Sequence, residues 1–311
     1  MKLDGLHHIT MITGDAARNV RFYAETLGLR LVKKTVNFDA PDAYHLYFGD
    51  ETGTPGSILT WFEFPDAARG RPGEGMVHLI QLGVRSADAL AFWEQRLRGA
   101  GVAAQATGEA LRFADYDGLS FELVVADPAN PPLVATHPEI APEHALVGVQ
   151  GARAYGTDAA DTGDFLTDVL GFTAAGPAGY RLEGPNRRFA WAYDEPPGER
   201  GTQGAGSVHH IAWASRDEDH LAWRERTREA GCVVTDIRDR DYFKSIYFRE
   251  PRGILFEIAT TSPGFAVDED PDHLGEQLKL PSMHEHLRSQ LERTLTPVIN
   301  PRSALGESLQ A

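Results

Sequence analysis

The stretch LHHITMIT, residues 6–13, decides how the rest of the chain is read. It is an apolar strand that opens on two adjacent histidines, and SVHHIAW at 207–213 writes the same pattern again far downstream. A pattern that returns so far along a chain is the mark of an internal repeat. Working outward from the first copy, DAARNVRFYAETLG follows as an amphipathic helix, with Asp15 placed to cap its start and Gly28 to end it in a left-handed conformation. AYHLYFGD and SILTWFEF then read as strands.

Three more units show the same order. MVHLIQLGV, SADALAFWEQRLRGAG and ALRFADYDGLSFELVVAD form the second; ALVGVQGARAY, DTGDFLTDVLGF and GYRLEGPNRRFAWAYD the third; SVHHIAWAS, DEDHLAWRERTREAG and YFKSIYFREPRGILFEIAT the fourth. One unit of strand, helix and several strands cannot cover both its sheet face and its helix face, so units must close on each other in pairs. The expected class is α+β, with four tandem βαβββ modules forming two barrel-like halves. The chain divides into modules one and two at 1–126, a Pro-rich linker at 127–144, modules three and four at 145–262, and a tail at 263–311. Within the tail, MHEHLRSQLERTL predicts a helix that packs Leu287 and Leu291 on the body.

Composition narrows the function. The 311 residues include 45 acidic and 30 basic side chains, a formal charge of −15, which argues against nucleic acid as a partner. Cys232 is the single cysteine, so an intramolecular disulfide and a thiolate metal cluster are excluded. MKLDGLHH has no apolar signal region, and no run approaches the roughly eighteen apolar residues of a membrane helix. The expectation is a cytoplasmic protein with no membrane partner, and an exposed edge strand in either half could pair two copies into a homo-oligomer.

Superposing the units on one another exposes candidate ligands. The opening strands align His8, His78 and His210, whereas unit three reads LVGVQG there. The closing strands RGILFEIA, DGLSFELV and GSILTWFE align Glu257 with Glu122 and with Trp61, and Glu63 follows two residues later. Side chains alternate along a strand, so the second histidine of each pair can face a barrel interior together with Glu257. Two neutral imidazoles and one carboxylate leave three positions of an octahedral ion open, the arrangement that O₂ chemistry on a chelating substrate needs. One histidine pair at a strand start reads as ordinary polar residues; two at equivalent repeat positions, with a glutamate on a closing strand, read as ligands. His78 and Glu122 lack a second histidine and read as a repeat remnant or a hydrogen-bonded pair. Tyr44, His45 and Tyr47 in AYHLYF are candidates to line the same cavity.

These segments resemble the vicinal oxygen chelate superfamily, the glyoxalase and extradiol dioxygenase fold. LHHITMITGDAARNVRFYAETLGLRLVKKTVNFD, GTPGSILTWFEFP, SVHHIAWA and DYFKSIYFREPRGILFEIATTSPGF resemble, more narrowly, its ring-cleaving dioxygenases of the hydroquinone 1,2-dioxygenase type. LGEQLKLPSMHEHLRSQLE is similar to that group's tail. The resemblance implies that modules one and four share a barrel, and that His8, His210 and Glu257 hold Fe(II), with Mn(II) accepted by the same ligands. It implies catalytic roles for His7, Thr10 and His209 around the metal and for Arg240 and Tyr247 beside the substrate. An arginine there compensates a phenolate, a tyrosine donates a hydrogen bond, and either His7 or His209 suits proton transfer. The implied partners are a hydroquinone-type aromatic and O₂. Two alternatives stand beside this: a glyoxalase-like lyase or isomerase, which would need a fourth protein ligand where Trp61 or Glu63 lies, and a non-enzymatic aromatic-binding or resistance protein, which would need no triad.

Overall fold

In module one, strand β1 (Gly5–Thr13) leads into a helical turn, Ala16–Val20, capped by the Asp15 side chain, which accepts from the Arg18 amide. The helix does not continue as regular α. Arg21–Thr26 widens into a π-helical turn, with the Leu27 amide donating to the Phe22 carbonyl at 2.9 Å. Gly28 then takes φ +72°, and a Cβ there would lie 2.5 Å from Ile140, so glycine is required on both counts. Strands β2 (Arg30–Val36), β3 (Tyr44–Gly49) and β4 (Ile58–Glu63) complete the module. Module two has β5 (Met76–Val84), the helix Ala87–Gly99 capped by Ser86, and β6 (Ala104–Thr107), β7 (Ala110–Ala114) and β8 (Ser120–Val125). Module three has β9 (Val149–Tyr155), a π-helical Phe165–Val169, and β10 (Thr173–Ala174), β11 (Gly179–Glu183) and β12 (Arg188–Asp194). Module four has β13 (Val208–Ser215), the helix His220–Glu229, and β14 (Arg238–Asp239), β15 (Lys244–Arg249) and β16 (Leu255–Thr260). The computed structural model describes residues 1–157 and 165–303, so the start of the helix expected in DTGDFLTDVLGF lies outside the described residues. No helix among the described residues is long and apolar enough to cross a membrane.

Two curled eight-stranded sheets form the α+β fold expected of four βαβββ modules. Their orders are β14-β15-β16-β13-β1-β4-β3-β2 and β10-β11-β12-β9-β5-β8-β7-β6. Module four therefore joins module one, and module three joins module two; each sequence half, 1–126 and 145–262, sends one module to each sheet. At the centre of the first sheet β1 runs antiparallel to β13, and each is flanked by its own closing strand, β4 or β16, in parallel. The register centres on Ile9 opposite Ile211. His8 and His210 are 202 residues apart, the same offset that separates this central pair, so module four repeats module one about a local two-fold axis.

Alternation along these strands sorts the two faces. Ile9, Ile211 and Trp213 are fully buried in the core. Trp213 meets Phe256 at 5.2 Å and Trp191 of the second sheet at 6.0 Å, so the sheets pack back to back. Burying indoles of this size contributes on the order of 3 kcal/mol each. The other face of the first sheet carries His8, Thr10, His210 and Ala212.

The tail crosses that second face. Phe265 packs against Tyr47 at 5.0 Å and Tyr242 at 5.5 Å, in a small apolar cluster with Val32, Ile58, Phe243, Ala259 and Leu274. Gly53 lies under the Phe265 ring at φ +71°, where a Cβ would come within 2.5 Å of it. Farther on, the Lys279 amide donates to the Lys34 carbonyl at 2.9 Å and the Asn300 side chain to the Leu31 carbonyl at 3.3 Å. The outer edge of β2 is thereby covered. The helix expected in the tail starts as a 3₁₀ segment, Ser282–Leu287, and becomes α at Arg288–Thr294, with Leu291 buried.

Lys33 fastens the tail electrostatically. It is fully buried, 2.6 Å from Asp268 and in contact with Glu269, whose side chain is 4% exposed, and it lies over the Tyr242 ring. Lys33→Ala leaves Glu269 buried without its counter-charge, a loss that typically costs about 3 kcal/mol. Urea unfolding should show the unfolding free energy falling by that amount, as a lower midpoint at unchanged slope; a loss below ~1 kcal/mol would mean that the tail is held by its apolar contacts alone.

Candidate metal centre

His8 on β1, His210 on β13 and Glu257 on β16 meet on the tail-covered face of the first sheet. The ladder sets this up: Thr10 is opposite His210, His8 is opposite Ala212, and Ala212 is opposite Glu257 on the far side. Glu257 Oε2 lies 2.9 Å from His210 Nε2 and 3.3 Å from His8 Nε2, and the two imidazole nitrogens are 3.4 Å apart. The three residues are 4% exposed or less, and among the described residues they are the one group whose ligand atoms converge as for a metal ion. Oε2 of Glu257 has no hydrogen-bond donor of its own, while Oε1 accepts from the Ser245 hydroxyl. A buried carboxylate oxygen left open beside two imidazole nitrogens fits a divalent cation. Burial opposes ionisation of Glu257, but His8 and His210 outweigh it and hold its carboxyl well below the usual range. Burial also pushes His210 down, against the pull of Glu257, which keeps the imidazole in the neutral form that a ligand needs.

The first histidine of each pair orients the second. His7 sits in a bulge between Leu6 and His8, and His209 sits in the matching bulge of β13. His7 Nε2 is 3.1 Å from the Thr260 carbonyl, which can only accept, so this nitrogen carries the proton. His7 Nδ1 must then accept from His8 Nδ1 at 2.8 Å, which leaves the His8 Nε2 lone pair aimed at the centre. His209 Nδ1 and His210 Nδ1 make the same 2.8 Å pair. Burial and the neighbouring histidine push His7 and His209 down to about 3, so both stay neutral acceptors.

Thr60, not Trp61, is module one's counterpart of Glu257. Thr10 is opposite Thr60 as Ala212 is opposite Glu257, and the shared Ile-Leu dipeptide of SILTWFEF and RGILFEIA displaces the sequence superposition by one residue. Trp61 points into the core against Tyr23 at 3.9 Å, and Glu63 accepts from the Ala16 amide at 3.2 Å. The position where a fourth ligand would stand is occupied by a hydrogen-bond chain. Thr60 donates to Thr10 at 3.0 Å, so it must accept from His45 Nε2 at 2.8 Å, and His45 Nδ1 accepts from the Tyr47 hydroxyl at 2.8 Å.

The second sheet holds the matching position in a neutralised form. His78 lies in a bulge equivalent to those of His7 and His209, so Leu79 and Gly151 rather than histidines take the two ligand positions. Glu122, opposite Gln81, does match Glu257, but it is held by Arg112 and Gln81, each at 2.7 Å. His78 pairs instead with Asp194 at 2.8 Å and stacks on Tyr155.

An inner chamber of about 30 Å³ touches the triad, and a vestibule of about 350 Å³ lies beside it, sharing Asn37, Asp39, Phe62, His210, Arg240 and Tyr247 as wall. The chamber is lined by aromatic and polar groups: Phe38, His45, Tyr47, Phe62, Phe243 and Tyr247, with Asn37, Asp39 and Arg240 at its boundary. Arg240 lies 5.5 Å over the Tyr247 ring and 3.2 Å from Asp39. Burial and then Glu257 raise the Tyr247 phenol, against Arg240, so it remains a donor. Of the residues expected at the site, Arg240, Tyr247, His45 and Tyr47 line the chamber and His209 lines the vestibule, whereas His7, Thr10 and Tyr44 stand behind the walls. Sequence reasoning missed Asn37–Asp39, Thr60, Phe243 and Ser245. Ser245 had a signal, because it is two residues from Tyr247 and so shares its face.

Comparison with known proteins gives the same picture. The model of the Glyoxalase/Bleomycin resistance protein/Dioxygenase superfamily matches residues 5–123 and 148–258. The protein named "Putative ring-cleaving dioxygenase MhqO" from Bacillus subtilis (strain 168) is 43% identical over 305 residues, spanning 95% of this chain and 97% of its own. The "Chlorohydroquinone/hydroquinone 1,2-dioxygenase" of Sphingobium indicum is 32% identical over 322 residues, spanning 96% and 98%. A Bacillus subtilis crystal structure described as a "putative dioxygenase" superposes with a TM-score of 0.87 at 41% identity, over 96% of this chain and 98% of that one. Glyoxalase I from Zea mays superposes with a TM-score of 0.59 at 14% identity, over 83% and 92%, a likeness of fold alone.

Ser245→Ala removes the donor to Glu257 and leaves the three ligands in place. Its affinity for Fe(II) or Mn(II), titrated against a fluorescent chelator, should fall ~10–100-fold, as losses of such orienting contacts do. Glu257→Gln should hold no stoichiometric metal. Equal affinities for wild type and S245A would show that the carboxylate is oriented without the hydroxyl.

Proposed function

Because the chain belongs to the Glyoxalase/Bleomycin resistance protein/Dioxygenase superfamily, we propose that it is a ring-cleaving dioxygenase acting with O₂ on hydroquinone-type aromatics, with Fe(II) on His8, His210 and Glu257. The observation that carries this reading is the protein ligand count. The fourth position is filled by Thr60, whose hydroxyl is engaged with Thr10 and His45. That favours a three-ligand oxygenase over a four-ligand lyase. The name of the Sphingobium indicum relative supports the substrate class, and that of the Bacillus subtilis relative supports the reaction class. A non-enzymatic binding protein would not need two imidazoles oriented through Nδ1 toward a buried carboxylate.

Held by His8, His210 and Glu257, such an ion would supply Lewis-acid and redox activation toward a ring hydroxyl and O₂. The chain's own groups do the rest. Arg240 is the cation at the boundary of the chamber and compensates the charge of a deprotonated ring hydroxyl. Tyr247, protonated and beside Arg240, donates to an oxygen of the reacting ring. His209 lies on the vestibule wall, whereas His7 is buried with Nε2 tied to Thr260, which supports His209, as a neutral imidazole, for a hydrogen bond with the bound ring. Phe62 and Phe243 exclude water from the triad side and offer ring faces to an aromatic substrate.

The test is O₂ uptake by anaerobically purified, Fe(II)-loaded protein with hydroquinone, methylhydroquinone, chlorohydroquinone and catechol. One O₂ consumed per hydroquinone ring with a ring-opened product is the expected result. Uptake with catechol alone would overturn the substrate class, and stoichiometric iron without uptake on any ring would overturn the reaction. Tyr247→Phe should lower kcat about 100-fold with unchanged metal content. Mn(II) in place of Fe(II) distinguishes the two ions on the same ligands.

A further inference from the structure

The inner chamber is bounded by two loops. One follows β2 and contributes Asn37, Phe38 and Asp39; the other precedes β15 and contributes Arg240 and Phe243. They meet where Arg240 reaches the Asp39 carboxylate at 3.2 Å and lies over the Phe38 ring at 5.2 Å. Asp39 is 76% exposed along its side chain, and an ion pair that open to solvent holds little by itself. Each loop has hydrogen bonds of its own, and the tail ties both from outside. His284 is 9% exposed, and its Nε2 donates to the Phe38 carbonyl at 2.8 Å. Two residues earlier, the Ser282 amide donates to the Asp241 carboxylate at 2.8 Å. Asp241 itself sits at φ +60°, in the left-handed region that aspartate tolerates better than most non-glycine residues.

One three-residue stretch of the tail thus grips both loops from outside, about forty residues beyond one loop and far beyond the other in sequence. The chamber holds about 30 Å³, room for little more than two waters, so a ring that reaches the triad must lie across the boundary with the vestibule that these loops form. The placement of Phe38 and Arg240 then decides how the ring is seated.

We propose that Ser282–His284 of the tail sets the substrate mouth, with His284 a positioning residue that acts through the Phe38 carbonyl and Ser282 a second anchor that acts through Asp241. This rests on the reading of the chamber as an aromatic-ring site. His284 touches no candidate ligand, so its loss should leave metal binding intact and weaken ring binding. One backbone-directed hydrogen bond accounts for up to about a tenfold change.

The experiment compares Fe(II)-loaded, full-length wild type, His284→Ala, His284→Gln and Asp241→Gly. Anaerobic calorimetric titration with hydroquinone gives the ring affinity, chelator competition gives the metal affinity, and O₂ uptake gives KM and kcat. His284→Ala and Asp241→Gly should raise the hydroquinone dissociation constant and KM about tenfold, with metal affinity unchanged and kcat nearly so. His284→Gln, whose Nε2 can occupy the same place, should restore most of the loss. Wild-type ring affinity in His284→Ala, or a parallel loss of metal affinity and thermal stability that Gln does not repair, would overturn the inference. If the wild type binds hydroquinone but consumes no O₂, the proposed reaction fails while the titration still decides the role of His284. A wild type that binds no ring overturns both.

Discussion

The antiparallel ladder between β1 and β13 is the interaction on which the rest of this molecule depends. It joins the first module to the last, centred on Ile9 and Ile211, and it fixes register because both isoleucines are wholly buried. A slip of one residue would turn the histidines into the core and the isoleucines into the cavity. With the register set, the two-fold repeat brings His8 and His210 side by side as diagonal neighbours across the strands. The bulges at His7 and His209 add the extra residue that places a second imidazole behind each ligand. Everything polar at the centre is therefore specified by backbone pairing first and by side-chain chemistry second.

The two sheets answer the same electrostatic problem differently. Each carries a glutamate at one equivalent position of a closing strand, Glu257 or Glu122. Removing a carboxylate from water is expensive unless a cation accompanies it. In the second sheet the cation is Arg112, built into the neighbouring strand where the first sheet has Tyr247. In the first sheet no arginine stands opposite the carboxylate, which faces two imidazoles oriented through Nδ1 and leaves room for a bound cation to provide the positive charge. The replacement of one tyrosine-type position by arginine, and of two histidine positions by Leu79 and Gly151, separates a structural ion pair from a metal centre.

Much of this was legible in the sequence because it is periodic. The repeated HHI pair, the apolar helices and the closing strands announced four modules, and the triad fell out of superposing them. The family resemblance supplied the pairing of modules one and four, which no local pattern encodes. What resisted reading was one-residue register. Bulges shift a strand by a single position without a compositional sign, so His78 was matched to His8 when it corresponds to His7. The Ile-Leu dipeptide common to two closing strands likewise drew Trp61 into the place that belongs to Thr60. The Asn37–Asp39 wall and the grip of His284 on it depend on contacts between segments 246 residues apart, and nothing local marks them.

The order of the modules along the chain has a consequence for synthesis. His8 is made before His210 and Glu257, which emerge only after two intervening modules have been made. Modules two and three can close on each other while the chain is still growing, because their central strands are close in sequence and follow one another. Module one has no such partner in waiting; β1 must stay without its central neighbour until β13 appears, and the mouth is not complete until the tail has followed. The nested order, outer pair around inner pair, means that a chain that stops between module three and module four can hold a folded second sheet but not the complete triad. Capture of a divalent ion at the triad is thereby deferred until module four has been made.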